Sequence, residues 1–133
     1  NIRAVSIAEN CLNNSSFEQL QIQDLPSLEA FEMKNNCCKF VKKFIITNCS
    51  SLLTVYIQSN CCSEYAGKLS IEACDKLMII SIGCSFKNYK DFFISKLDSL
   101  QALSISDCIE YTGNEDYFQY QERMIINSIS NSV

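Results

Sequence analysis

Histidine and tryptophan are absent from the 133 residues, and the chain holds one proline and three glycines. General acid–base catalysis recruits histidine more than any other side chain. Zinc sites built from cysteine use paired C-x-x-C spacings, and the sequence contains none. The glycines, Gly67, Gly83 and Gly113, stand alone and form no phosphate-cradling loop. No catalytic residues, no metal ligands and no cofactor are therefore expected. Long apolar runs are missing too. The longest spans residues 77–80, against roughly 20 residues for a membrane-spanning helix. The net charge is −4 with both signs interspersed, which argues against a phosphate-binding groove and against nucleic acid as a partner.

What the chain has is a repeat. Residues 19–33 read QLQIQDLPSLEAFEM, 43–57 KFIITNCSSLLTVYI, 68–82 KLSIEACDKLMIISI and 91–105 DFFISKLDSLQALSI. Aligned on Ile22, Ile46, Ile71 and Ile94, the blocks start 24, 25 and 23 residues apart. Apolar or Cys side chains recur at the same offsets, as in Ile46, Cys49, Leu52, Val55 and Ile57. A period of this length marks a solenoid, in which each unit buries its apolar side only by stacking on its neighbours. Within each unit two short segments place apolar residues two apart, the period of a strand with one buried face. Eleven residues separate the two segments in every unit, whereas the return path varies from 12 to 14. The pattern predicts a mainly β fold: a solenoid of about five coils over residues 1–109, with short parallel strands on two faces and few or no long helices. Residues 110–121 form an irregular aromatic-acidic insert, and 122–133 begin a further unit or a terminal segment. Both ends fall inside a unit without a polar cap, which suggests a segment of a longer repeat protein.

The nine cysteines follow the repeat. Cys49 and Cys74 occupy the offset of Leu25 and Leu97, and Cys38 and Cys62 fall in a column with Leu12, Phe86 and Ile109. Exchange with Leu and Phe is the behaviour of a small hydrophobe. A second column holds Cys11, Cys37, Cys61, Ser85 and Cys108. Neighbours there lie one coil apart, about 4.8 Å, so a bridge is geometrically open, but packed, reduced thiols are the first expectation. Reduced thiols favour an intracellular setting, with the cell surface as the alternative. The sequons at Asn13, Asn14 and Asn48 matter only in the second case. After the second strand, Asn10, Asn36 and Asn60 supply a residue suited to left-handed turns. Cys84 and Asp107 are expected to continue this turn column.

The spacing L-x-x-L-x-L-x-x-N (Leu52, Val55, Ile57, Asn60) resembles the leucine-rich repeat consensus. The fuller pattern of Phe44, Ile46, Cys49, Ser51, Leu52, Val55 and Ile57 resembles the BspA-like leucine-rich repeats common in protists. That resemblance implies a surface for binding proteins and leaves location open. The expected function is a non-catalytic interaction or scaffold module, with surface adhesion or ligand recognition, or a structural filament component, as alternatives. The expected partner is another protein or a second copy of the chain. Outward aromatic and aliphatic side chains are the candidate contacts. They are Tyr56 with Ile79, Ile45 with Phe93, and Tyr111, Tyr117, Phe118 and Tyr120 of the insert.

Overall fold

A computed structural model describes residues 1–106 and 124–129 of the chain. Ten strands run in order: β1 Ala4–Ile7, β2 Gln19–Gln23, β3 Ala30–Met33, β4 Lys43–Thr47, β5 Thr54–Ile57, β6 Lys68–Glu72, β7 Ile79–Ile82, β8 Asp91–Leu97, β9 Ala102–Ile105 and β10 Met124–Ile129. Odd strands form one five-stranded sheet, β1-β3-β5-β7-β9, and even strands the other, β10-β8-β6-β4-β2. Every pairing is parallel. The chain therefore winds as a β-solenoid of about four turns, and no helix occurs among the described residues.

The odd strands and β2, β4 and the first half of β8 alternate because one face is inside, whereas β6 buries Leu69, Ser70 and Ile71 in succession. Register places Ile22, Ile46, Ile71 and Ile94 above one another, and the last three are fully buried. Val5, Phe31, Val55, Ile80 and Leu103 stack likewise on the other sheet. Aromatic rings fill the space between the sheets. Phe44 meets Phe31 edge-on at 5.9 Å and Phe86 at 5.3 Å, and Phe86 meets Tyr89 at 5.0 Å, the geometry that ring quadrupoles favour.

Corners are turned almost without glycine or proline. Eleven non-glycine residues have positive φ, and they fall in three columns. Asn10, Asn36 and Asn60 make the first; Leu12, Cys38, Cys62 and Phe86 the second; Asp24, Asn48, Ala73 and Lys96 the third. Each column continues the ladder around the bend. Asn36 N–H donates to Ser59 O (3.0 Å), Cys62 N–H to Cys37 O (3.2 Å), and Asn48 N–H to Glu72 O (3.2 Å). Buried backbone groups must find partners, and here the next coil supplies them. The structure differs from the sequence reading at Cys84. Its φ is not left-handed, and by register with β5 and β7 it stands beside Ser59 rather than Asn60. That coil is one residue shorter at the asparagine position, and Ser85 N–H closes a tight turn onto Gly83 O (2.7 Å). Asp107 lies outside the described residues.

Tyr89 spans two coils. Counting back from the strand register, it shares a column with Phe17, Val41 and Ala66. Ala66 is exposed and leaves the interior unfilled. The fully buried Tyr89 ring occupies that space, and its hydroxyl donates to Val41 O (2.5 Å). Gly67 permits the crossing, because a Cβ there would sit 2.5 Å from Lys42 O and 2.7 Å from the ring.

Candidate interaction surface

Outward columns on the odd-strand sheet are mostly small or polar: Ala4, Ala30, Thr54, Ile79 and Ala102 in one, Ser6, Glu32, Tyr56, Ser81 and Ser104 in the next. Tyr56 is 42% exposed and Leu53, just before β5, is 39% exposed. Leu53 O accepts from Met78 N–H (2.9 Å) and Ile79 N–H (3.3 Å), which fixes Met78 and Ile79 one coil above it. Both are half-buried. Leu53, Tyr56, Met78 and Ile79 thus form one apolar patch on a rigid ladder. In register its neighbours are small or polar, Glu32 and Ser81 beside Tyr56 and Thr54 and Ala102 beside Ile79, and Ser6 Oγ donates to Glu32 Oε1 at 3.2 Å.

Register sets Ile79 opposite Thr54 and Ser81 opposite Tyr56, so Tyr56 and Ile79 are diagonal neighbours on adjoining strands. Leu53 and Met78 were missed. They sit one position before the strand, where the other coils carry Arg3, Glu29 and Gln101. Two apolar residues in that otherwise polar column were the available signal.

Ile45 and Phe93 are not brought together. Register inserts Ser70 between them, and all three are at least half-buried. Lys68 Nζ lies 5.1 Å from the Phe93 ring centroid, so a cation already covers that ring. Ser70 Oγ donates to Glu72 Oε1 (2.6 Å) and Ser95 Oγ to Glu72 Oε2 (2.8 Å). The two hydroxyls hold the Glu72 carboxyl below its ordinary pKa of 4.5. Near the sheet's leading corner, Lys42 Nζ lies 4.6 Å over Tyr65 and 3.5 Å from the Glu18 carboxylate. Tyr111, Tyr117, Phe118 and Tyr120 lie outside the described residues.

Two kinds of thiol line the interior. Cys37 Sγ donates to Ala8 O (2.9 Å) and Cys61 Sγ to Lys34 O (3.1 Å), and Ser85 Oγ makes the equivalent bond to Gln58 O (2.5 Å). This column selects a small donor. Cys49 and Cys74 stand in the column of Leu25 and Leu97, and their carbonyl contacts are longer, Cys49 Sγ to Thr47 O at 3.5 Å and Ile22 O at 3.9 Å and Cys74 Sγ to Glu72 O at 3.4 Å. Burial, reinforced by the neighbouring thiols Cys37, Cys61 and Cys11, pushes the Cys38 thiol up to about 12. Burial likewise takes Cys74 to about 11 and raises Cys61 and Cys62. Thiols this hard to ionise are poor nucleophiles. Seven of the described cysteines are free, whereas Cys84 is disulfide-bonded. Among the described residues, no group of three His, Cys, Asp or Glu is placed to hold a metal ion, and no helix is long and apolar enough to cross a membrane.

Compared with known proteins, the chain matches no family, and neither a curated protein nor a solved structure is similar to it.

Proposed function

We propose that the chain is a non-catalytic protein-interaction module of leucine-rich-repeat type, BspA-like, which presents the outer face of the odd-strand sheet to a protein partner within a larger assembly. The observation that carries this reading is the patch of Leu53, Tyr56, Met78 and Ile79, held in fixed register on a five-stranded ladder. Tyrosine and methionine are enriched at the centres of interfaces, and a polar rim around an apolar centre is the usual anatomy. The raised thiol pKa values and the lack of histidine support a non-catalytic role. A second reading, recognition at the cell surface, is favoured by the disulfide at Cys84, since disulfides persist in oxidising compartments.

A photo-crosslinking amino acid at position 56, with position 19 on the other sheet as control, tests the first reading in an extract of the source cells. A discrete adduct from position 56, lost on Leu53→Asp, is the expected result. Adducts of equal yield from both positions, or none, would overturn it. Intact mass of the chain purified from its source separates the two settings, because glycan on Asn13, Asn14 or Asn48 belongs only to the surface reading.

A further inference from the structure

The three sequons, Asn13-Asn14-Ser15, Asn14-Ser15-Ser16 and Asn48-Cys49-Ser50, place their asparagines in unlike surroundings. Asn13 clamps two coils together. Its Nδ2 donates to Asn36 O (2.8 Å) and its Oδ1 accepts from Lys39 N–H (3.0 Å). Asn48 stands at a left-handed corner, where its N–H donates to Glu72 O (3.2 Å) and its Nδ2 to Asp24 Oδ1 (2.7 Å). In both, the amide nitrogen that a sugar would occupy is already committed to an adjoining coil.

Asn14 has no such tie. Its Oδ1 accepts from Ser16 N–H (2.8 Å) and from the Ser16 hydroxyl (2.7 Å), which belongs to its own sequon, and its backbone carbonyl accepts from Phe17 N–H (2.9 Å). Its Nδ2 makes no hydrogen bond among the described residues, and Asn14, Ser15 and Ser16 are all exposed. A bulge in the chain causes this exposure. From Leu12 to Phe17 is five residues, against three from Cys38 to Val41, four from Cys62 to Ala66 and three from Phe86 to Tyr89. The surplus closes on itself as a turn over residues 14–17 and bonds within the loop, so it projects from the wall that the coils share. The bulge follows the C-terminal end of β1, whereas Leu53 and Met78 precede the N-terminal ends of β5 and β7. A glycan at the bulge therefore leaves the apolar patch clear.

We propose that Asn14, alone of the three sequon asparagines, is an N-glycosylation site. The inference rests on the cell-surface reading, because such glycans belong to exported proteins. In the transfer, Asn14 Nδ2 attacks C1 of an oligosaccharide carried on a polyprenyl pyrophosphate. The Nδ2–C1 bond forms, the bond from C1 to the pyrophosphate oxygen breaks with its electron pair going to that leaving group, and Nδ2 gives up one proton to the transferase. Nothing is oxidised or reduced, and no hydrogen bond of the fold is lost. At Asn13 the sugar would have to enter between two coils, and at Asn48 it would crowd the Asp24 carboxylate.

The test exports the full 133-residue chain from a eukaryotic host behind a cleavable signal peptide and counts glycans by the mass that peptide-N-glycosidase removes. Cell lysate and medium are both read, so retention inside the host does not hide the result. Ser15→Ala, Ser16→Ala and Ser50→Ala each abolish one sequon, those of Asn13, Asn14 and Asn48 in turn, at an exposed hydroxyl and without touching an asparagine. The expected result is one glycan, lost in Ser16→Ala, kept in Ser15→Ala and Ser50→Ala, and restored by Ser16→Thr. A chain without glycan, a glycan that survives Ser16→Ala, or one that disappears with Ser15→Ala or Ser50→Ala would overturn the proposal. Occupancy of Asn14 in the host beside a bare chain purified from its source would refute the surface reading while upholding the choice of sequon.

Discussion

Gly67 is required for what passes over it, and replacing it offers a sharp test of the packing described above. Its φ lies outside the left-handed region, so conformational freedom is not the reason for glycine here. A methyl group at this position would lie 2.5 Å from Lys42 O and 2.7 Å from Tyr89 Cε1 and Cζ. The Lys42 carbonyl is held by Lys68 N–H at 2.9 Å, and the Tyr89 ring by Phe86 and by the bond to Val41 O. Neither neighbour yields freely. Gly67→Ala should cost about 3 kcal/mol, the upper part of the range for overpacking. Tyr89→Phe keeps the ring but strips a buried carbonyl of its donor, for about 1–3 kcal/mol. Tyr89→Leu removes the ring, and so removes half of the clash that Gly67→Ala creates. The Gly67→Ala/Tyr89→Leu double variant should therefore be less destabilised than the sum of its singles by about 1 kcal/mol or more. Urea unfolding followed by far-UV circular dichroism reads these values, since a 2 kcal/mol loss moves the midpoint by about 1 M. Additivity within about 0.5 kcal/mol, or a neutral Gly67→Ala, would refute the crossing of Tyr89 over Gly67.

Leu52→Asp should cost at least about 4 kcal/mol by placing an unpaired charge in a fully buried column, while Gln58→Asp, exposed on the next face, should cost under about 1 kcal/mol; equal melting losses would contradict the register. The two kinds of cysteine should respond oppositely in thermal melts: Cys74→Leu and Cys61→Ser each follow a residue already present in their columns and should be mild, whereas Cys61→Leu should overpack by about 1–3 kcal/mol. Ala73 occupies a left-handed corner at φ 55 where the preceding coil has Asn48 bonded to Asp24 at 2.7 Å; Ala73→Asn should raise the melting temperature, by about 0.5–1 kcal/mol of stability, and a decrease would argue against strain at that corner. The thiols at Cys38 and Cys74 bind protons more tightly when folded, at about 12 and about 11 against 9.0 for an ordinary thiol. Their contribution is thus complete below pH 9 and is lost as pH rises through 11 to 12. Melting temperature should fall over that window and fall less in a Cys38→Ala/Cys74→Leu variant; identical curves would exclude the thiols as the cause.

Strand positions and inner columns were legible in the sequence because a buried parallel ladder repeats its demand at every coil. Ile22, Ile46, Ile71 and Ile94 answer one environment with one residue type, and the observed register keeps them together. The corners were legible only where a residue type advertises its backbone. Asn10, Asn36 and Asn60 do so, but the second left-handed column holds Leu12, Cys38, Cys62 and Phe86, and the third mixes Asp24, Asn48, Ala73 and Lys96. No shared chemistry marks those positions. Inter-coil hydrogen bonds impose the conformation, and they are properties of the assembled stack. The one-residue deletion beside Cys84 was hidden for the same reason, since a single count of 12 to 14 residues does not say which corner is short. Tyr89 was illegible because its place depends on Ala66 and Gly67 in the coil before it.

These corners also bear on the proposed binding surface, since they hold the outer face rigid despite so few glycines and prolines. A left-handed residue other than glycine is disfavoured by roughly 1–2 kcal/mol, less for Asn and Asp. At nine of the eleven, Asn10, Asp24, Asn36, Cys38, Asn48, Asn60, Cys62, Ala73 and Phe86, the residue's own N–H is aimed at a carbonyl of the adjoining coil. Backbone hydrogen bonding thus runs around the corners as well as along the strands, and a coil cannot loosen at a turn without breaking bonds to a neighbour. Side chains ride on this frame, so Leu53 and Tyr56 are held relative to Met78 and Ile79 by the same network that holds the core. Little ordering entropy remains to be lost when a partner covers them, and preorganisation of this kind raises affinity without adding contacts.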